Sequence, residues 1–144
     1  MPHLVILYTA NLDRAPEQGG TDMSQLCRTL ADTMLAVRDE AGKQVYPTGG
    51  TRVLAYPAPH YAVADGQRDY AFVYFNLRMG RGRSDAVKQS AGDALIAAAK
   101  THFQPLFDQG RFIGLTVQID EGQEVFDAKH SSIHPLFQPP KPQN

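Results

Sequence analysis

Three residues of this 144-residue chain have the chemistry to move a proton on an anionic substrate. Pro2 follows Met1, and removal of that methionine would leave the proline nitrogen as a free secondary amine. An α-amino group titrates at about 7.7–8.0, and a proline amine is somewhat more basic. Burial and nearby positive charge both disfavour the ammonium form and pull the value down. An amine that is neutral near pH 7 is an effective general base, and the ring holds its nitrogen more rigidly than a lysine stem would. Arg52 follows Gly49-Gly50-Thr51 at the start of an extended segment, where a side chain can reach a pocket at the end of a sheet. Arginine binds carboxylates or a polarised keto oxygen bidentately and keeps its charge. Arg83, with Arg78 and Arg81 nearby, sits in a glycine-flanked loop that runs into a helix start, a geometry that favours a bound anion. Alone, each has an ordinary explanation: proline is common at position 2, and arginines at strand ends and turns are usually solvated.

The other reactive side chains say less. His130 and His134 have helical metal-ligand spacing but lie in a proline-rich stretch without a third ligand, so no metal site is expected. Cys27 falls on an apolar helix face and reads as packing. His60 and His102 read as structural. Asp120, Glu121 and Glu124 mark a solvated strand end or the mouth of a pocket. The loop at Gly80-Arg81-Gly82-Arg83 lacks both the phosphate-loop lysine and the G-x-G-x-x-G spacing, so nucleotide binding is unsupported.

Composition narrows the class. Lys and Arg number 14 against 15 Asp and Glu, a net charge of −1, which excludes a strongly basic nucleic-acid binder or a polycationic membrane-surface protein. The hydrophobic fraction of 42% suits a folded domain. No apolar run of about 18 residues is present, so no membrane-spanning helix is expected. The first residues lack a basic region and a small-residue cleavage site, so no signal peptide is expected either. One cysteine excludes an internal disulfide framework. These features predict a cytoplasmic, reduced domain with neither nucleic acid nor membrane as partner.

The elements that must position the three residues are legible from periodicity. Residues 3–9 are bulky and apolar and predict a strand. Residues 11–20 gather Asn, Asp, Pro and Gly-Gly and predict a loop. Met23, Leu26, Cys27, Leu30, Met34 and Val37 fall on one helix face, with Thr21 or Asp22 as the cap. Residues 52–56 predict a second strand that continues irregularly through Pro57 and Pro59, which argue for an edge or a bulge there. Residues 70–79 form the clearest strand, apolar on both sides and therefore central. Ser84 caps a second helix whose buried face is predicted at Val87, Ala91, Ala94, Leu95, Ala98 and His102, closed by Pro105 and Gly110. The last strand alternates with Ile113, Leu115, Val117 and Ile119 inward. After Ser131 the chain becomes proline-rich.

The order is β-α-β followed by β-α-β, in an α/β (α+β) class. The units span about 1–62 and 67–122, within one domain of residues 1–130, with a tail at 131–144. Each crossover returns its strand parallel to the first. The expected product is a four-stranded mixed sheet with both helices on one face. The other face then exposes Tyr70, Phe72 and Tyr74, and a partner subunit is the economical cover for such a patch.

Several stretches together resemble the 5-carboxymethyl-2-hydroxymuconate Δ-isomerase family of the tautomerase superfamily. They are Met1-Pro2-His3-Leu4-Val5-Ile6 with Tyr8-Thr9-Ala10-Asn11-Leu12, then Ala64-Asp65-Gly66-Gln67 with Asp69-Tyr70-Ala71-Phe72-Val73. Gly80-x-Gly82-Arg83-Ser84, Lys100-Thr101-His102-Phe103 and Ile133-His134-Pro135-Leu136-Phe137 complete the likeness, which covers nearly the whole chain. The resemblance implies a fused β-α-β-β-α-β tautomerase-like fold, a homotrimer, and Pro2 as catalytic acid and base. It implies Arg52 and Arg83 as the catalytic and substrate-binding arginines, no cofactor, no metal, and a small carboxylate substrate met in aromatic catabolism, as in homoprotocatechuate degradation. Leu7 stands where family members usually carry Glu. Two alternatives follow from that departure and from the weakness of each residue taken singly. One is a different tautomerase-superfamily activity on another oxo-acid. The other is a non-catalytic trimeric protein that holds a small acid.

Overall fold

The computed structural model describes residues 2–140 and 142. Met1, Lys141, Gln143 and Asn144, the last three in the proline-rich tail, lie outside the described residues. Six principal elements follow in chain order: β1 (His3–Thr9), α1 (Met23–Leu35), β2 (Arg52–Ala58), β3 (Tyr70–Gly80), α2 (Asp85–Asp108) and β4 (Phe112–Gly122). They form one mixed sheet in the order β2-β1-β3-β4. β1 and β2 are parallel, β3 and β4 are parallel, and the two pairs meet antiparallel between β1 and β3. Each half is a β-α-β crossover, and the centre of the sheet joins them. Pro57 lies in β2, an edge strand where a missing N–H costs no internal ladder bond.

The helices cover one face. Leu4, Ile6 and Tyr8 of β1 and Ala71, Val73, Phe75, Leu77 and Met79 of β3 alternate into a single core with both helices. From α1 that core takes Met23, Leu26, Leu30 and Met34. The Asp22 carboxylate caps α1 by accepting from the Gln25 N–H at 3.0 Å. Ser84 does the same for α2, accepting from the Val87 N–H at 3.2 Å.

α2 differs from the expected helix in two ways. Its fully buried stripe is Val87, Ala91, Leu95, Ala99, Phe103 and Leu106, so Ala94, Ala98 and His102 flank the core rather than centre it. His102 shares a 2.9 Å hydrogen bond with the Thr21 hydroxyl and so ties α2 to the entry of α1. Pro105 does not end the helix, which continues to Asp108. Burial of Phe103 and Leu106 on either side of the proline offsets the N–H it lacks. Gly110, at φ 77°, then closes the helix with a bond from its N–H to the Phe107 carbonyl.

The loop over residues 11–20 is more ordered than its composition predicts. It holds two short 3-10 turns, Ala10–Asp13 and Pro16–Gln18. The reason is Asn11, whose buried amide donates to Asp69 at 3.1 Å and to the Tyr70 carbonyl at 2.7 Å. Asp69 also accepts from Arg14 and Arg111, each at 2.8 Å, so the loop is pinned to the start of β3.

Among the described residues, the second sheet face carries no helix. His3, Val5 and Leu7 point there with their register partners Arg52, Leu54 and Tyr56 on β2 and Arg78, Asn76 and Tyr74 on β3. Leu7, Leu54 and Tyr56 are 48%, 45% and 51% exposed. Past β4, residues 123–133 run on without regular structure to a 3-10 turn at His134–Phe137, which packs against the Thr48–Gly50 turn before β2. No helix among the described residues is long and apolar enough to cross a membrane.

Candidate active site

Pro2 is buried and leads directly into β1. Proline is tolerated at a strand's entry, where its missing N–H breaks no ladder. The next residue, His3, fixes the surroundings, because it pairs with Arg52 on β2 and with Arg78 on β3. One end of the sheet therefore carries two guanidinium groups, one to each side of the first strand. His3, Arg52, Arg78 and Met79 line a cavity of about 500 Å³, whose other wall is the segment running through Glu124, Asp127 and Lys129 to Ser131. Burial is the main reason the His3 imidazole titrates below its ordinary value, and the charges of Arg52 and Arg78 lower it further.

Arg83 approaches the same end of the sheet from the helix side. Its guanidinium donates to the Gly80 carbonyl at 3.3 Å and lies 5.2 Å from the centre of the Tyr46 ring, a cation–π contact. Tyr46 is fully buried. Burial raises its phenol pKa, and Arg83 partly opposes that shift. The Tyr46 hydroxyl has no hydrogen-bond partner among the described residues.

The three residues singled out from sequence thus converge on one end of the sheet but not on one cavity. Arg52 lines the cavity on the open face. Arg83 rests on the core side over Tyr46, and Pro2 is buried at the entry of the first strand. Neither arginine forms an ion pair among the described residues, so both charges are free to receive an anion. Sequence reasoning assigned no role to His3 or Tyr46 and left Arg78 as a neighbour of Arg83. The one available signal was the alternation that puts Arg78 and Asn76 on the same strand face as Tyr74.

A larger groove, about 610 Å³, runs between α2 and β4. Its one cation, Lys88, is already bridged to Asp85 at 3.0 Å and to Glu121 at 3.1 Å, and with Asp93 its lining is net negative, which does not suit an anionic substrate. His130 and His134 belong to no metal cluster: no group of three or more His, Cys, Asp or Glu side chains is arranged to hold an ion among the described residues.

The C-terminal strap is fitted to the turn that delivers Arg52. A Cβ at Gly49 would stand 2.7 Å from the His134 Cα, closer than backbone atoms allow. Gly49→Ala should therefore lift the His134–Phe137 turn, with a stability loss of about 1–2 kcal/mol. Limited trypsin digestion checks this: cleavage after Lys129 should accelerate, and an unchanged digestion pattern would mean that the strap is held elsewhere.

The family model for 5-carboxymethyl-2-hydroxymuconate isomerase matches residues 2–137. The chain belongs to this family. The 5-carboxymethyl-2-hydroxymuconate Delta-isomerase of Escherichia coli is 31% identical over 137 residues, covering 95% of this chain and 99% of the relative. A crystal structure of a 5-carboxymethyl-2-hydroxymuconate delta-isomerase is 57% identical, superposes with a TM-score of 0.89, and covers 98% of this chain and 95% of its own. The structure of a 5-carboxymethyl-2-hydroxymuconate isomerase from Deinococcus radiodurans R1 is 36% identical with a TM-score of 0.79, over 96% and 95% of the two chains. As a member of the 5-carboxymethyl-2-hydroxymuconate isomerase family the protein is an isomerase, and the pinned loop, the central strand pair and the strap over Gly49 all lie within the matched residues.

Proposed function

We propose that this isomerase moves a proton within 5-carboxymethyl-2-hydroxymuconate, or a closely similar unsaturated hydroxy- or oxo-acid with two or more carboxylates, with the amine of Pro2 as the acid and base. The observation that supports this most directly is the placement of buried Pro2 at a sheet end flanked by arginines that have no carboxylate partner among the described residues. Positive charge there favours the neutral amine over the ammonium and also favours an anionic substrate. The amine takes a proton from the hydroxydiene, negative charge spreads over the dienolate, and the proton returns to another carbon. Arg52 and Arg83 hold carboxylate or enolate oxygens and stabilise the charge as it builds, which lowers the barrier. No step calls for a cofactor.

The uncovered apolar face supports an assembly of several copies, and we read that assembly as a homotrimer in which neighbouring chains cover Leu7, Leu54 and Tyr56. Aromatic-compound catabolism in the cytoplasm is the setting this substrate class fits.

The chemistry needs an unblocked nitrogen, and that requirement supplies the test. Protein whose intact mass shows Met1 removed should ketonise or isomerise 5-carboxymethyl-2-hydroxymuconate in a spectrophotometric assay. Protein that retains Met1 has an amide at Pro2, with no basic lone pair, and should be inactive in the same assay. Equal rates for the two forms would rule out the proline base.

A further inference from the structure

The cavity over His3 holds more positive charge than the proton transfer uses. Arg52 and Arg78 are the two register partners of His3, so their backbones stand two strand spacings apart, roughly 10 Å. Both line the cavity of about 500 Å³. Neither forms an ion pair among the described residues. The carboxylate best placed to neutralise Arg78 is that of Asp120, its register partner on β4, but Asp120 accepts instead from the Asn76 amide at 2.8 Å. Of the acids on the cavity wall, Asp127 is paired with Lys129, which leaves Glu124 as one uncommitted carboxylate against two guanidinium groups. His3, between them, titrates low because of its burial and contributes no fixed charge at neutral pH. Two like charges facing one cavity repel each other until anions occupy it. Backbones that far apart can present the two guanidinium groups to two separate carboxylates of one molecule.

We propose that Arg78 is a second carboxylate-binding residue of the active site, receiving the acid group at the end of the substrate remote from Arg52, so that the cavity selects dicarboxylates over monocarboxylates of the same length. This rests on the reading above, in which Arg52 binds one of the substrate's carboxylates. A charge-assisted bond from guanidinium to carboxylate is one of the stronger single contacts in recognition, and its loss corresponds to an affinity change of about tenfold or more. Arg78 is exposed and lies outside the core, so its replacement leaves the fold intact.

The test is a calorimetric titration of the Met1-free protein with heptanedioate and with heptanoate. The wild-type chain should bind the diacid at least about tenfold more tightly than the monoacid. Arg78→Gln should reduce that preference to about twofold while leaving the affinity for heptanoate nearly unchanged. Arg81→Gln, which removes a charge from the neighbouring loop but not from the cavity, should keep the full preference. A diacid preference that survives in Arg78→Gln, an equal loss for both acids, or a wild-type protein with no preference would overturn the assignment. Binding needs no turnover, so this result and the activity of the Met1-free enzyme stand or fall separately.

Discussion

Pro2→Ala should lower turnover of 5-carboxymethyl-2-hydroxymuconate by about 10²- to 10⁴-fold, the range expected when a positioned general base is lost. The variant keeps an N-terminal amine after methionine removal, but a primary amine on a flexible alanine is held less firmly, so its lone pair meets the substrate carbon less often. Arg14→Ala is the comparison that separates chemistry from folding. Arg14 is a surface residue paired with Asp69 at 2.8 Å, and Asp69 keeps Arg111 and Asn11 as partners without it. Its loss should leave turnover within a factor of about 3, because exposed pairs contribute little. Steady-state kinetics on both variants decide the matter, and equal activity in the two would eliminate the proline mechanism. The pH dependence has a defined sign. The base works only when neutral, so kcat/KM should rise with pH through the amine's pKa and then level off. Neighbouring arginines should place that rise below the ordinary α-amino range.

Arg83→Ala should cost about 10²- to 10³-fold in kcat, the magnitude associated with removing one group that stabilises a developing oxyanion. Arg83→Lys should recover little of it, since a lysine keeps the charge but not the planar fork that meets a carboxylate in two places. The position over Tyr46 adds a second readout. With the guanidinium gone from the ring, 5.2 Å away, the local positive potential falls and the Pro2 ammonium becomes easier to form. The rising limb of the pH–rate profile should therefore move to higher pH in Arg83→Ala. A kcat within threefold of wild type, with an unshifted limb, would show that Arg83 only braces the loop before α2.

The open sheet face bears on both experiments. Leu7, its register partners Tyr56 and Tyr74, and Leu54 form an apolar patch on the sheet face that also bears the arginine-lined cavity. Leu7 gives that patch a side chain that packs rather than hydrogen-bonds. A neighbouring copy seated there would border the cavity that holds His3, Arg52 and Arg78, and so would control how much water reaches their charges.

Much of this protein was legible from local rules, because local rules govern the features concerned. The period-2 alternation of β3 and β4, the helix face of α1, and the caps at Asp22 and Ser84 depend on residues a few positions apart, and they appear where the spacing predicts them. The central place of β3 followed from its being apolar on both sides. Pro2, Arg52 and Arg83 were legible as candidates through their chemistry and the resemblance that gathers them, and all three reach one end of the sheet.

Tertiary structure alone decided the rest. Composition made residues 11–20 a loop, but long-range bonds from Asn11 and Arg14 to the start of β3 hold it in place. Pro105 reads as a helix end, yet burial of Phe103 and Leu106 carries α2 past it. Nothing near Arg78 in sequence tells that it shares a cavity with Arg52, because the two meet only through His3, by the register of two strands on either side of β1. Register is fixed by pairing between distant segments, and an alternating pattern within one strand says which face a side chain occupies but not who stands beside it.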